Sequence, residues 1–394
     1  MKKVLKITAA GLLLTILLSA AGVYAYLQSP EFGAQPDGER LEKIVLSPNY
    51  RDGEFRNLDP TPEHKGNILS GWTRMLLTKK VRPRPDFPVP SVKMDLKTLD
   101  RHSDLILWLG HASCYIQLGG KRFLIDPVFN DHAAPFSFAN RAFDGAGIYS
   151  PEEMPDIDYL LITHDHWDHL DYPTIMGLMN KADSVIVPLG VGAHFERWGF
   201  SREKVREMDW GDALQLEGGT VIHALPSLHY SGRLLTRNKT LWAAYALVSP
   251  ERKIYLGGDS GYGSHFKAAG EAFGGFDFAV LDSGQYNENW RWVHMMPEDT
   301  ALAANDLNAG AVLPVHTGKF AMAYHAWDDP FIRMAEAGRG QPFALVMPVP
   351  GESVSLEDPR EYISGWWDRA NPGQRSLART GKNPVRFKSD DRAK

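Results

Sequence analysis

The most constraining stretch of the chain is residues 164–169, which read His-Asp-His-Trp-Asp-His and follow an apolar run, Tyr159–Ile162. Such a run predicts a buried strand, and the turn at its end can direct several side chains into one cleft. Four of the six residues carry groups typical of sites for zinc and related metals, namely His164, His166, Asp168 and His169. This spacing offers more ligands than one catalytic zinc takes, so it favours two metals; the alternative is a histidine-rich surface turn.

Composition narrows the chemistry of any metal site. The chain has 394 residues, enough for one large domain or two ordinary ones. Its net charge of −5 gives no indication of a nucleic-acid partner. Its single cysteine, Cys114, excludes an intramolecular disulfide and a cysteine-based zinc site. Any metal must therefore be held by His, Asp and Glu side chains.

Residues 1–27 have the pattern of a targeting segment. Three lysines among the first six residues precede an apolar run from Ile7 to about Leu27. Val23-Tyr24-Ala25 suits cleavage of a signal peptide, whereas a run of about 20 residues also suits an N-terminal membrane anchor. Both alternatives stay open. In either case we expect the body in the cell envelope on the periplasmic side, anchored in the inner membrane or secreted after cleavage.

The remainder of the chain divides into three predicted parts. Residues 28–100 are rich in proline, glycine and charge, which predicts an N-terminal arm that wraps the body and has a short helix near residues 68–77. Residues 101–372 carry the regular hydrophobic pattern and are predicted to form the folded domain. Residues 373–394 are basic and polar, and we expect them to form a flexible tail.

The hydrophobic pattern of the folded domain predicts an α/β fold. Early strands are joined as hairpins, with Gly119-Gly120 as one turn, and later strands alternate with helices. Strands are predicted at residues 105–109, 115–118, 122–125, 159–162, 184–188, 220–224, 241–248, 253–256, 278–281 and 312–315. Helices are predicted at residues 191–198 and from Pro297, where a proline and two acids suit a first turn. We therefore expect two sheets inside and helices outside.

Three isolated residues downstream, His229, Asp259 and His316, each follow an apolar run. Gly257 and Gly258 precede Asp259 and would allow a close approach of its backbone and carboxylate to a metal. Taken singly, each histidine is more often a hydrogen-bonded core residue, and the aspartate can be a turn residue. Together with the first cluster they make seven candidate ligands, five histidines and two aspartates, which suits two metals that share one carboxylate.

This order of residues resembles the pattern of the metallo-β-lactamase superfamily. Motifs around it are similar to the branch of phospholipases D that hydrolyse N-acyl-phosphatidylethanolamine. These motifs are Trp108-Leu-Gly-His-Ala-Ser-Cys114, Ile125-Asp-Pro127, Gly258-Asp-Ser-Gly-Tyr262, Phe276-Asp277, Trp292-Val-His-Met-Met-Pro-Glu-Asp299 and Val315-His-Thr-Gly-Lys-Phe320. The resemblance covers about residues 104–330 and is weak over the N-terminal arm.

The resemblance implies an αβ/βα four-layer sandwich, two mixed sheets flanked by helices, with a di-zinc site at one edge of the sheets. Position by position, it implies that the first zinc is held by His164, His166 and His229. It implies that the second is held by Asp168, His169 and His316, and that Asp259 bridges the two. Which metal occupies the site in the cell, zinc, manganese or iron, stays open.

The resemblance also implies supporting residues. Asp126 is expected to brace the loop 164–169 from behind, as carboxylates often do behind metal-binding histidines. His111 is expected either to share that supporting role or to be an ordinary structural histidine. His294 is expected to contact a substrate phosphate or to aid proton transfer, beside Asp259 in the catalytic apparatus; the alternative is a loop histidine without a role.

The implied activity is a phosphodiesterase of phospholipase D type. We expect it to cleave N-acyl-phosphatidylethanolamine-like phospholipids to phosphatidic acid and N-acylethanolamine by attack of a metal-bridging hydroxide. A lactonase or other small-ester hydrolase of the same fold is one alternative, because fold does not decide substrate. A β-lactamase fits the flanking motifs less well. A membrane-anchored, non-catalytic scaffold is the alternative from a different class, although the ligand set is complete.

Two groups of large apolar side chains could serve a lipid substrate. One group adjoins His294 and consists of Trp290, Trp292, Met295 and Met296; the other follows Asp126 and consists of Phe136, Phe138 and Phe143. They are expected either to line an acyl groove or meet a membrane, or to pack in the core and its rim.

Overall fold

The computed structural model describes residues 2–61, 80–233 and 236–368 of the chain. Within them two mixed β-sheets lie face to face and carry helices on their outer sides, which makes four layers. A separate hairpin of β1 (Tyr50–Arg51) and β2 (Glu54–Phe55) precedes the sheets. The α/β four-layer sandwich expected from the sequence is confirmed. The predicted helix at residues 68–77 and the tail at residues 373–394 lie outside the described residues.

The first sheet has seven strands in the order β16-β3-β4-β5-β6-β7-β8. The bounds of its strands are β3 Leu105–Trp108, β4 Cys114–Leu118, β5 Lys121–Ile125, β6 Ile157–Leu161, β7 Ala182–Pro188, β8 Val205–Met208 and β16 Ser353–Ser355. From β16 to β5 the neighbouring strands are antiparallel, and from β5 to β8 they are parallel. Gly119 and Gly120 turn the chain between β4 and β5 with positive φ values of 57° and 73°, which glycine adopts without strain.

The second sheet has eight strands in the order β17-β15-β14-β13-β12-β11-β10-β9. The bounds of its strands are β9 Ala213–Gln215, β10 Val221–Leu225, β11 Ala244–Val248, β12 Lys253–Leu256, β13 Phe276–Asp282, β14 Ala309–Val315, β15 Ala344–Met347 and β17 Tyr362–Ile363. Its strands from β9 to β12 are antiparallel, and the remainder are parallel. The second sheet thus repeats the plan of the first.

Helices cover the outer faces of both sheets. The helices of the described residues are α1 Lys2–Leu27, α2 Gly38–Leu46, α3 Tyr172–Leu178, α4 Gly192–Arg197, α5 Ser264–Phe273, α6 Pro297–Asp306 and α7 Asp329–Ala337. Helices α3 and α4 pack on the seven-stranded sheet, and α5, α6 and α7 pack on the eight-stranded sheet. The predicted helix start at Pro297 coincides with the first residue of α6.

The space between the two sheets is filled by one apolar cluster. Phe123 and Ile186 from the first sheet and Leu247 and Leu313 from the second belong to it and are buried. The sheets are also joined by a polar contact, because the Tyr245 hydroxyl donates to the carbonyl of Ile162 at 2.9 Å. That carbonyl lies just before the cluster 164–169, so the second sheet holds the strand that presents these residues.

The first residues form a long apolar helix that is exposed along its length except at its last turn, where Tyr26 contacts the body. In α1 the stretch Lys3–Leu27 is long and apolar enough to cross a membrane, with a mean hydropathy of 2.0, and none of its most apolar window is buried. A signal sequence has the same properties, so both alternatives stay open.

The described part of the N-terminal arm packs on the domain. Ile44 of α2 and Phe55 of β2 are fully buried against Leu241 and Trp242. Arg40 of α2 also reaches the domain, where its guanidinium pairs with a carboxylate oxygen of Glu207 at 2.7 Å. The arm therefore contributes a helix and a hairpin of its own. Its boundary at residue 100, and the domain boundary at residue 372, stay predictions.

Candidate metal centre

The seven candidate ligands lie together at the ends of strands from both sheets. Residues 164–169 follow β6, Asp259 follows β12 and His316 follows β14, while His229 comes after β10. The carboxyl ends of parallel strands meet at one edge of a sheet, which explains why residues distant in sequence converge. Among the described residues, possible ligand atoms form three groups, each within 4.8 Å. The first group is His164, His166, His229 and Asp259, and the second is Asp168, His169 and His316 together with His111. A third group, Asp259, Asp282, His294 and His316, overlaps both.

The first group is formed by three imidazoles. Nδ1 of His166 lies 2.8 Å from Nε2 of His164 and 3.2 Å from Nε2 of His229. Two ligands bound at about 2.0–2.1 Å to a tetrahedral zinc are about 3.3 Å apart. The separations in this group are therefore close to those of nitrogens that share one metal.

The second group is built around the carboxylate of Asp168. Its Oδ2 lies 2.8 Å from Nε2 of His111, 3.0 Å from Nε2 of His316 and 3.5 Å from Nε2 of His169. Three of these residues were expected to hold the second metal. His111 lies within hydrogen-bond distance of Asp168. This position suits the supporting role, which was one of the two roles expected for it.

Asp259 stands between the two groups. Its Oδ2 is 3.1 Å from Nε2 of His169 and 3.2 Å from Nε2 of His316 on one side. On the other side it is 3.8 Å from Nε2 of His164 and 3.7 Å from Nε2 of His229. One carboxylate oxygen thus faces both groups, which is the position a shared ligand needs.

Gly258 shapes the approach of Asp259. Its φ is +58°, and a Cβ at this position would lie 2.8 Å from Cβ of Thr163. The glycine therefore lets the segment after β12 lie against the residue that precedes the histidine cluster. The residue that such a Cβ would crowd, Thr163, follows β6 of the seven-stranded sheet.

The residues fit a metal, as their unsatisfied polar atoms show. Oδ1 of Asp259 is buried and has no hydrogen-bond partner among the described residues, and Nε2 of His169 has only the carboxylates of Asp259 and Asp168 beside it. Buried polar atoms are normally paired, because leaving one unpaired costs about 1–3 kcal/mol. A cation between the groups would satisfy both atoms, so the donor set suits metal binding.

The electrostatics of the cluster differ from ring to ring. Burial lowers the pKa of His169 and His316, but Asp259 and neighbouring carboxylates outweigh it and raise the pKa of both, that of His316 to about 10. A metal at these rings would therefore displace their protons. Burial lowers the pKa of His164, and the imidazoles of His169 and His166 lower it further. The ring is therefore neutral near pH 7 with a lone pair free for a metal. Burial raises the pKa of Asp259, but His169 and His316 outweigh this and hold it well below its usual range.

Asp126 lies behind the cluster, where it was expected. Its Oδ1 accepts from the backbone N–H of Thr163 at 2.8 Å, and its Oδ2 lies 2.8 Å from Nδ1 of His169. The carboxylate thus orients the ring of His169 with Nε2 towards Asp259.

Asp126 has a φ of +43°, and His111 and His316 have φ values of +52° and +65°. Such backbone strain in non-glycine residues is common at functional sites.

His294 and Asp282 form a pair at the same site. Nδ1 of His294 lies 2.9 Å from Oδ2 of Asp282, and its ring stacks on His316 with centroids 5.0 Å apart. Oδ1 of Asp282 is 3.3 Å from Nδ1 of His316. Sequence analysis did not select Asp282, although it ends an apolar strand in the same way as the ligands it did select.

A second set of residues that the sequence did not reveal holds the loop 164–169 in place. The Arg233 guanidinium is buried and donates to the carbonyls of Asp165 and Leu170 at 2.9 and 2.8 Å. It also lies 3.8 Å from the centre of the Trp167 ring. The carboxylate of Asp165 in turn accepts from the Thr240 hydroxyl at 2.9 Å. The loop therefore has fixed partners on its outer side.

The apolar side chains suggested for a lipid divide into two classes. Met295 and Phe143 are buried in the core, as ordinary packing predicts, and Trp290 and Met296 are partly buried. Trp292, Phe136 and Phe138 are exposed. Of these side chains, only the three exposed ones remain available to contact a lipid.

Comparisons with known proteins agree with this geometry. Residues 121–317 match the family model described as beta-lactamase superfamily domain. An uncharacterized protein of Mycobacterium tuberculosis is 35% identical over 329 residues, which are 82% of this chain and 87% of that protein. The N-acyl-phosphatidylethanolamine-hydrolyzing phospholipase D 1 of Caenorhabditis elegans is 32% identical over 255 residues, 60% of this chain and 69% of that protein. The structure of isothiocyanate hydrolase from Delia radicum gut bacteria superposes with a TM-score of 0.51 at 20% identity, covering 64% of this chain and 98% of that chain.

Fold and site together define a metal-dependent hydrolase of the metallo-β-lactamase fold. The chain belongs to the beta-lactamase superfamily. The alternative of a non-catalytic scaffold is thereby set aside. The roles of the individual candidate ligands are proposals, and two substitutions, of Asp259 and of Asp282, test them.

Replacing Asp259 with Asn tests the shared ligand. The amide keeps the volume but loses the negative charge, so we expect a lower metal content after dialysis and no measurable turnover. Metal is measured by mass spectrometry, and Asp277→Asn on the exposed face of β13 is the matched control. Full activity with normal metal content in Asp259→Asn would contradict the assignment.

Replacing Asp282 with Asn tests the support of His294 and His316. Loss of a carboxylate behind a metal-binding histidine weakens metal affinity by about 10–100-fold. We expect a loss of that size, measured by competition with a chromophoric chelator, while Asp277→Asn keeps the wild-type affinity. An affinity in Asp282→Asn equal to that of the control would show that Asp282 does not support the ligands.

Proposed function

We propose that the chain is a phosphodiesterase of phospholipase D type that holds two zinc ions. Its proposed substrates are N-acyl-phosphatidylethanolamine-like phospholipids, cleaved to phosphatidic acid and N-acylethanolamine. The observation that carries this proposal is the position of Asp259 Oδ2 between the two groups of ligands. Two-metal sites of this kind are used for displacement at phosphorus. The named activity of the Caenorhabditis elegans relative supports the choice of substrate.

The ligand assignments proposed from the resemblance follow the two observed groups. His164, His166 and His229 are assigned to the first metal, and Asp168, His169 and His316 to the second. Asp259 is assigned to both. When bound, two zinc ions supply a nucleophile at neutral pH and stabilise charge on phosphoryl oxygens. Asp126 and His111 have the role of holding His169 and Asp168 in orientation.

His294 is the proposed proton carrier. Its Nδ1 faces Oδ2 of Asp282 at 2.9 Å, so the proton on Nδ1 is held there and Nε2 is the nitrogen left for the substrate. With its proton on Nδ1, the neutral ring can accept a proton at Nε2 and then pass it from Nε2 to the leaving alkoxide.

A cation near the ligands suits an anionic substrate. The ring of Tyr230 lies 4.5 Å from His166 and 4.8 Å from His229. The guanidinium of Arg237 lies 4.3 Å from the centre of the Tyr230 ring and is exposed. A phosphodiester entering the site would therefore pass a positive charge, whereas an uncharged lactone would gain nothing from it.

The proposed partner and location follow from the N-terminus. Helix α1 is either an anchor or a signal sequence, and in both cases we propose that the body works on the periplasmic side of a membrane. A phospholipid in that membrane is then directly available as substrate.

Hydrolysis in ¹⁸O-labelled water separates the proposal from its nearest alternative. We expect the label in the phosphate group of phosphatidic acid, detected by mass spectrometry, when the metal-loaded protein acts on N-acyl-phosphatidylethanolamine. A panel of lactones and small esters serves as the comparison. Label only in the carboxylate of an ester product, with none in phosphate, would favour the lactonase alternative.

Replacing Arg237 with Ala tests the role of charge at the entrance. An exposed charge interaction is worth about 0.2–1 kcal/mol, so KM for a small phosphodiester should rise about 1.4- to five-fold with kcat unchanged. The rise of the wild-type KM with added salt should also become weaker in the variant. Arg206→Ala, exposed on β8, is the control. Identical KM values and salt dependence in all three proteins would exclude a role for Arg237.

A further inference from the structure

A continuous series of aromatic rings, here termed the aromatic ladder, joins the metal-site loop to the end of α1. Its five members in order are Trp167, Phe32, Tyr26, Phe136 and Phe138. Each ring centroid lies 5.4 Å from the next. Neighbouring aromatic rings at this separation attract one another. Through these ring contacts, the loop of the metal site packs continuously against the end of α1.

The inner end of the ladder is part of the metal centre. Trp167 lies between two candidate ligands in sequence, and its ring is covered by the guanidinium of Arg233 at 3.8 Å. The same guanidinium donates to the carbonyl of Glu31 at 2.7 Å, next to Phe32 of the ladder. A buried arginine thus ties the segment after α1 to the loop that presents the ligands.

The middle of the ladder fixes the direction in which α1 leaves the body. Tyr26 belongs to the last turn of α1, and its hydroxyl donates to the carbonyl of Pro135 at 2.6 Å. The indole N–H of Trp198 donates to the carbonyl of Pro30 at 2.7 Å, and Arg197 donates to the carbonyl of Gln28 at 2.6 Å. The chain after α1 is therefore held by the domain and does not act as a loose tether.

The outer end of the ladder is an exposed apolar surface. Phe138 is 79% exposed and Phe136 is 39% exposed. They lie beside a helix that is apolar enough to span a bilayer. Phe138 also borders a cavity of about 740 Å³. Two arginines of its lining are paired with acids, Arg84 with Asp144 at 3.9 Å and Arg141 with Asp131 at 3.5 Å. The exposed surface beside α1 is therefore mainly apolar, and a tyrosine next to exposed phenylalanines suits the interface between lipid and water.

We propose that Tyr26, Phe136 and Phe138 dock the body on the lipid bilayer that α1 spans when it is retained as an anchor. The aromatic ladder then holds the mouth of the metal centre at a constant place against the bilayer surface. The docking surface stands independently of the reaction. The further step, that docking delivers a membrane-borne phospholipid to the site, rests on the proposed function.

A nitroxide label on the full-length chain tests the docking surface. The Phe138→Cys variant is labelled and placed in nanodiscs of phosphatidylethanolamine and phosphatidylglycerol. Cys114 is fully buried, and burial raises the pKa of its thiol, so it does not compete for the label. Leu302→Cys on α6, where the leucine is 50% exposed, is the matched control. We expect the label at position 138 to relax faster with oxygen than with a water-soluble nickel complex, and the label at position 302 to show the reverse.

A label at position 138 that resembles the label at position 302 would overturn the docking surface, whether or not the protein hydrolyses any lipid. A second measurement concerns delivery of substrate. The double variant Phe136→Ser/Phe138→Ser should lose about ten-fold in hydrolysis of phospholipid in vesicles while keeping wild-type kcat and KM on a soluble phosphodiester. Equal losses on both substrates, or none, would refute delivery. Absence of all phosphodiester hydrolysis in the wild type would refute the proposed function and leave the label result to decide docking.

Discussion

The carboxylate of Asp259 contacts histidine rings that follow strands of both sheets. It comes from the eight-stranded sheet, as does His316, and it faces His164 and His169 from the seven-stranded sheet. Buried imidazoles and carboxylates at such short separations are costly unless a cation or a proton joins them. The architecture around them supplies what the cluster needs, namely two sheet edges brought together and a glycine, Gly258, that lets the segments touch.

Support from behind explains why the ligands keep their orientation. Asp126 holds His169, and Asp282 lies against both His316 and His294. On the outer side of the loop, Arg233 binds its backbone carbonyls. The site is therefore held by the cores of both sheets and by the segment after α1. The metal chemistry can be shared across the superfamily, because a fold does not decide the substrate.

The hydrophobic pattern of the sequence predicted those strands in which most side chains are buried. The apolar runs predicted as strands at residues 105–109 and 159–162 largely coincide with β3 (Leu105–Trp108) and the end of β6 (Ile157–Leu161), and the candidate ligands at strand ends converge as parallel strands require. The predicted strand at residues 241–248 begins instead at Ala244. The reason is tertiary, because the N–H groups of Leu241 and Ala243 donate to the carbonyls of Leu189 and Thr163 in place of sheet neighbours. The short strands at or near the sheet edges lack a pattern strong enough to predict them.

The residues that sequence analysis missed act through contacts that only the fold creates. Asp282 is one acid among many until β13 brings it beside His294. Arg233 gains its role from a carbonyl of Glu31, about two hundred residues earlier in the chain. Helix α2 is amphipathic, but it lies in a proline- and glycine-rich segment, and that composition led to the prediction of an arm without a helix there.

Anomalous X-ray scattering at the zinc edge from crystals of the zinc-loaded protein tests whether the site holds two metals. We expect two peaks, one among His164, His166 and His229 and one among Asp168, His169 and His316, separated by about 3.5–4 Å as in two-metal sites. The carboxylate of Asp259 should lie between them. A single peak in one group, or peaks at a site that excludes Asp259, would contradict the central claim.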